Sequence, residues 1–306
     1  MKKPFRSAIT NILVLAVTAL VFYLLFTRID FFAVLDVLLA SNPLWLVVAL
    51  LLSLLSVAVT TKRWQTLLKT LGYAFRYKES LYLILGSLPL SSITPAKAGD
   101  VIKAYYLKDK VPSVKTIGAV VAERTFDVFS LVLLSLIGML FRQRYELASI
   151  AFIMLVCIIV IFVLARFTTR FRLPLIKDLW NERIQDLILS LRLLTGSKTA
   201  FSTVLSYSLL IWFISIAQTL TFFYAVGLDI PLAVTLANVP IAIFIGLIPV
   251  TLGGMGTRDA AIIFLFSEFA SPEQLLGVGI LFSIFRYWLL SLIGIPFMRK
   301  MMSKTG

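Results

Sequence analysis

The chain has 306 residues, 60% apolar and 14% charged, and its 29 Lys and Arg outweigh 15 Asp and Glu to give a formal charge of +14. Soluble domains average about 25% charged residues, so this balance excludes an ordinary soluble fold. There is no histidine and one cysteine, Cys157; this excludes a Ser-His-Asp triad, His-ligated zinc or haem, an internal disulfide and a thiolate cluster. No G-x-x-x-x-G-K-[ST] loop is present to cradle nucleotide phosphates.

The chain therefore reads as a polytopic membrane protein whose chemistry rests on Arg, Lys, Asp and Glu. Crossing roughly 30 Å of hydrocarbon takes about 20 mostly apolar residues. Six stretches meet or approach that length: 8–26, 44–61, 117–141, 147–165, 201–226 and 275–297. The first follows Lys2, Lys3 and Arg6 as a signal peptide would, but no small-x-small cleavage site follows it. It is expected to be a retained anchor helix. Residues 30–42 predict an interfacial helix with Asp30 as N-cap and Pro43 as stop, its apolar face formed by Phe31, Phe32, Leu35, Leu38 and Leu39. After span 44–61 come Lys62, Arg63, Arg76 and Lys78, which with the basic residues of 166–172 read as orientation signals against inner-leaflet lipid.

Residues 81–94 are apolar but short, broken by Gly86 and Pro89, and run into Thr94-Pro95-Ala96-Lys97-Ala98-Gly99-Asp100. Pieces of this length are more often re-entrant than spanning. If 81–107 dips in and returns, 23 of the 29 basic residues fall on the side of the N-terminus. If it crosses, Lys97, Lys103, Lys108, Lys110 and Lys115 all face the other way, against the positive-inside bias. Further along, 177–194 predicts a second interfacial helix, with Trp180, Ile184, Leu187, Ile188, Leu191 and Leu194 on one face. Residues 233–250 contain Pro240, Gly246 and Pro249, then run through Thr251 to Asp259 into the short apolar piece 260–269. This predicts a second re-entrant pair.

The expected fold is an all-α membrane protein, one integral domain over 1–306, with about six spanning helices and two re-entrant helix pairs. The halves 44–141 and 201–297 form an inverted repeat: each re-entrant turn carries Pro, Gly and an acid, and each is followed by a span holding an arginine, Arg124 or Arg286. Broken helices at matching positions of inverted halves point to a transport site near the midplane. Irregular backbone at that depth is tolerated only where protein or water covers it. Helices beginning at Gly99 and Gly256 are expected to aim free N–H groups and a positive dipole end at an anion.

Glu123 and Asp127 lie roughly 9 and 15 Å into their span at 1.5 Å per residue. They share a face, and Arg124 is three residues from Asp127. Arg286 falls near mid-membrane. Each such charge costs about 2.5–3.5 kcal/mol to insert unless it meets a partner or water. Two readings follow, and they are compatible. Glu123, Arg124, Asp127 and Arg286 form a neutral network joining the halves, or they line a polar cavity in which the arginines hold an anionic headgroup. Lys97, Asp100, Lys103, Gly254, Gly256, Arg258 and Asp259 are added as candidate contacts at the turns. Cys157 reads as a small core residue.

The stretch Thr94-Pro95-Ala96-Lys97-Ala98-Gly99-Asp100-Val101-Ile102-Lys103-Ala104-Tyr105 resembles a motif of the lysylphosphatidylglycerol synthase transmembrane-region family. Ala96, Lys97, Asp100 and Lys103 stand where Gly, Arg, Glu and Arg are common. Glu123-Arg124 looks like that family's embedded Glu-Arg pair, Pro249…Gly253-Gly254-Met255-Gly256-Thr257-Arg258-Asp259-Ala260-Ala261 like its later glycine block, and Arg286 falls where a late arginine is common. The resemblance implies an all-helical domain like the flippase half of multiple-peptide-resistance proteins. The soluble aminoacyl-transferase domain of those proteins is not expected here.

The sequence thus points to a non-enzymatic lipid translocase of the cell inner (cytoplasmic) membrane with both termini cytoplasmic. Its expected cargo is an anionic phospholipid, glycolipid or polyprenyl-linked lipid. No cofactor, metal or nucleic acid is expected; a homo-oligomer and a glycosyltransferase are candidate partners. The rivals are a polyprenyl-phosphate transferase or phosphatase, with Asp100, Glu123 or Asp127 as base, and a non-transporting assembly partner of a membrane glycosyltransferase.

Overall fold

A computed structural model describes residues 3–167, 192, 196–248 and 250–305. Every regular element among them is helical. Five helices are long and apolar enough to span a membrane: Pro43–Thr70, Ser113–Phe141, Tyr145–Leu164, Lys198–Ala225 and Pro272–Ser303. The bent pair Leu15–Phe26 and Phe31–Leu39 makes a sixth candidate. The protein is an all-α, multi-pass membrane protein. The expected interfacial helix 177–194 lies outside the described residues apart from Arg192, as do Pro249 and most of 166–172.

Helix α1 (Lys3–Phe26) meets α2 (Phe31–Leu39) at 90°. Asp30 caps α2 by accepting the Phe32 N–H at 2.8 Å. The side of α2 that packs inward is Val34, against Leu276, while Phe31, Phe32, Leu35 and Leu39 stay exposed. Pro43 starts the next helix rather than stopping this one: Asn42 accepts the Leu44 N–H at 2.9 Å and Pro43 takes the first helical position, where its missing N–H is no loss.

Helix α3 (Pro43–Thr70) runs more than two turns beyond the expected 44–61. Next comes α4 (Tyr77–Ser92), then a 3₁₀ segment (Pro95–Val101) and α5 (Ile102–Tyr106). The returning arm lies against α4, and a Cβ on Gly99 would overlap the Leu90 carbonyl. Only glycine permits this approach. The chain therefore turns back as a hairpin. The expected helix start at Gly99 is corrected: Pro95 opens a 3₁₀ turn, the α-helix begins at Ile102, and the Gly99 N–H already donates to Thr94 Oγ1 at 2.7 Å.

Helices α6 (Ser113–Phe141) and α7 (Tyr145–Phe167) follow, then α8 (Lys198–Ala225). Phe126, Phe162 and Phe201 join these three through ring contacts of 5.2, 5.2 and 5.5 Å. The second hairpin is α9 (Leu232–Leu247), a 3₁₀ turn (Leu252–Gly254) and α10 (Thr257–Phe266). The last span is α11 (Pro272–Ser283), a π-helical segment (Ile284–Trp288) and α12 (Leu289–Thr305). Cys157 corrects another expectation, being exposed on α7 among Ile153, Val160 and Ile161 rather than in the core.

The packing is reciprocal. Arm α4 of the first hairpin runs along α12, the end of the span after the second hairpin; arm α9 of the second runs along α6, the span after the first. Helices α3 and α8 pack on each other, and the two 3₁₀ tips touch, with a Cβ on Gly253 falling 2.8 Å from the Ser92 carbonyl. Helix α1 closes over the second tip, where Thr18 Oγ1 accepts the Leu252 N–H at 3.0 Å.

Candidate functional site

The tip of the first hairpin, α5, α3 and α6 bring six charged side chains together, and α8 adds Ser208 and Trp212. Glu123 and Asp127, one turn apart on α6, present a fork of carboxylates, and Arg63 of α3 fills it. Its guanidinium lies 2.6 Å from Glu123 Oε1 and 2.5 Å from Asp127 Oδ1, and donates to Ser208 Oγ at 2.9 Å. Trp212 Nε1 adds a 2.9 Å bond to Asp127. On the other side Arg124 reaches Asp127 at 3.0 Å and Asp100 at 2.7 Å. Lys103 meets Glu123 at 3.2 Å and Asp100 at 3.5 Å, with its ammonium 4.3 Å from the centre of the Trp64 ring. Ser91 completes the shell by donating to Asp100 at 2.5 Å.

Each carboxylate is thus held by at least two cations, and three cations balance three acids. Arg63, Lys103, Glu123 and Asp127 are each at most 2% exposed. Removing one member of such a buried set leaves a partner uncompensated, at a cost of about 3–5 kcal/mol. Arg63 is the residue that sequence reasoning misplaced. Beside Lys62 at the end of an apolar run it reads as an orientation signal, whereas α3 carries it into the core. The available signal was the pair of carboxylates four residues apart on α6, which needs more than the neighbouring Arg124 to neutralise it.

A chamber of about 80 Å³ opens beside this network, enough for several waters given that one needs roughly 10–15 Å³. Among its lining residues are all six network charges together with Lys97 and Arg286. These two differ from the rest: neither forms an ion pair among the described residues. Arg286 makes only long bonds to Ser56 Oγ (3.3 Å) and Gln218 Oε1 (3.4 Å). It is presented by the π-helical segment, a distortion common at functional sites. Lys97 stands at the hairpin tip with φ of 55°, its ammonium 5.7 Å from the centre of the Tyr287 ring. For a non-glycine residue that conformation costs roughly 1–2 kcal/mol.

The remaining candidates are not among the residues that line the chamber. Arg258 donates to Asp259 Oδ1 at 2.6 Å, to Ser283 Oγ at 2.6 Å and to the Gly279 carbonyl at 3.1 Å, and stacks 4.2 Å from the centre of the Phe282 ring. Asp259 Oδ2 accepts the Gly256 N–H at 2.9 Å, so the start of α10, at Gly256 with φ of 90°, is occupied by its own first-turn carboxylate. Gly254 packs against the backbone of Gly246. Gly99 is part of the 3₁₀ turn that places Asp100. Among the described residues no group of three or more Cys, Asp and Glu side chains is placed to hold a metal ion.

This arrangement of two broken hairpins around an embedded Glu-Arg pair can be compared with known proteins. The sequence pattern of the lysylphosphatidylglycerol synthase transmembrane region matches residues 11–294. The chain belongs to that family. Among family relatives it is similar to a UPF0104 membrane protein of Methanothermobacter thermautotrophicus, 24% identical over 292 residues covering 85% of this chain and 86% of the relative. A UPF0104 membrane protein of Methanocaldococcus jannaschii is 24% identical over 288 residues, covering 85% and 86%. The glycosyltransferase AglD of Haloferax volcanii is 22% identical over 324 residues, which cover 89% of this chain but 51% of AglD.

Proposed function

We propose that this member of the transmembrane-region family is a lipid translocase. An anionic phospholipid, glycolipid or polyprenyl-linked lipid places its headgroup in the charged chamber while its tails remain in the bilayer. The observation that carries the reading is the meeting of two hairpin tips that depart from α-helix beside a chamber lined by Lys97, Arg124 and Arg286. Backbone of this kind persists at membrane depth only against protein or water. The reciprocal packing of α4 on α12 and of α9 on α6 supports two halves of opposite sense. Rocking of one against the other changes which leaflet the chamber faces. An apolar groove of about 210 Å³, lined by Leu131, Met139, Ile150 and Phe244 among others, begins one turn of α6 beyond Asp127 and offers a path for a hydrocarbon tail. The distribution of basic residues favours cytoplasmic termini.

The test is transbilayer movement of fluorescent phospholipids and glycolipids in proteoliposomes. Arg286→Gln, which breaks no ion pair, slows it severalfold; unaltered rates in both Arg286→Gln and Arg124→Ala end the proposal. The likeness to AglD favours a second reading, an assembly partner of a glycosyltransferase. That reading gains if the protein co-purifies with such an enzyme and supports glycosylation normally with Lys97 and Arg286 neutralised.

A further inference from the structure

Charge counting around the chamber narrows the cargo. Arg63, Lys103 and Arg124 are balanced by Asp100, Glu123 and Asp127, and every ion pair at the chamber falls within this set. Lys97 and Arg286 remain, so the lining carries two positive charges beyond its own neutral network. A charge held away from water is tolerated only with a partner, and among the described residues no carboxylate lies within 4 Å of either cation, Asp127 attracting both only from farther away. The donors are also under-used. The Arg286 bonds to Ser56 and Gln218 are long, and Arg63 Nε and Arg124 Nε are buried without an acceptor. A guanidinium fork and an ammonium facing one small cavity form a suitable clamp for phosphate oxygens.

We infer that the chamber takes a lipid whose headgroup carries two negative charges on phosphate, a lipid phosphate monoester or diphosphate, with Lys97 and Arg286 as the pair that neutralises it. The inference rests on the translocase reading and names its substrate class. A monoester carries about −1.5 to −2 at pH 7 because its second pKa is about 6. A phosphodiester headgroup with one charge leaves one cation unanswered, and a zwitterionic headgroup leaves both. The three-against-three network then holds the hairpin tip in place and takes no part in reading the headgroup's charge.

The experiment titrates the purified full chain in detergent at pH 8 with dioleoyl phosphatidate, dioleoyl phosphatidylglycerol or inorganic phosphate, and counts bound molecules by native mass spectrometry. Phosphatidate is retained over phosphatidylglycerol by about tenfold, equivalent to ~1.4 kcal/mol. The preference shrinks at pH 5.5, where the monoester regains its second proton. Lys97→Gln and Arg286→Gln each reduce the ratio of phosphatidate to phosphatidylglycerol retained, and Arg286→Lys, which keeps the charge, preserves it. Equal retention of the two lipids at pH 8, or a ratio unmoved by both neutralising variants, overturns the inference. Inorganic phosphate retained as well as phosphatidate overturns the lipid assignment. Translocation measured on the same preparation separates the two proposals. Movement of phosphatidylglycerol and phosphatidate at equal rates, with equal retention, sinks the dianion and leaves the translocase. Selective retention with no movement does the reverse.

Discussion

Arg63 Nη2 lies 2.6 Å from Glu123 Oε1, joining α3 to α6 across 60 residues of sequence at a point where both side chains are buried. This pair, with Asp127 on the same guanidinium, fixes the wall of the chamber. Arg63→Gln leaves Glu123 and Asp127 short of a cation and is expected to destabilise the protein by about 3–5 kcal/mol. The double variant Arg63→Gln/Glu123→Gln restores neutrality and recovers part of that loss. Unfolding in mixed micelles checks both, and a double variant no better than the single one contradicts the pairing.

The first hairpin and the final span meet where Ser291 Oγ and Ser92 Oγ are 2.8 Å apart. In a Cys157→Ser background, Ser92→Cys with Ser291→Cys is expected to form a disulfide under mild oxidation, read as a reducible shift in gel mobility. A first hairpin that ran straight through the membrane would separate these positions and give no cross-link.

Gly138 lets α6 come close against α9, where a Cβ would overlap the backbone of Ala237. Gly138→Ala forces the helices apart and is expected to cost about 1–3 kcal/mol, the usual range for overpacking. Unfolding midpoints check the loss. No loss would mean that α9 does not pack on α6 in the folded protein.

Cys157 points outward from α7 among Ile153, Val160 and Ile161. Lipid-soluble maleimides are expected to label it in intact membranes, and a membrane-impermeant maleimide is expected to leave it unmodified. Labelling by the polar reagent would place that face of α7 in water.

Much of the hairpin architecture was legible because its causes are local. Pro89 and Pro95 interrupt the first apolar run, Pro240 and four clustered glycines interrupt the second, and neither run continues unbroken at spanning length. The Arg124–Asp127 pair was equally local, three residues apart on one helix. Arg63 was not legible, since a basic residue at the end of an apolar run looks the same whether it faces lipid headgroups or a carboxylate fork 60 residues away. The π-helical segment that presents Arg286 carries no proline or glycine to announce it. Trp212 and Ser208 enter the site from α8 through long-range packing alone. The pairing of Arg258 with Asp259 and Ser283, outside the chamber lining, depends on how α10 seats against α11.

The most direct measurement is an experimental density map of the protein in lipid nanodiscs containing phosphatidate. The account predicts a phosphate within hydrogen-bonding distance of the Lys97 ammonium and the Arg286 guanidinium, with its acyl chains directed into the bilayer. A chamber without lipid, and those two cations turned toward carboxylates or into the acyl chains, would contradict it.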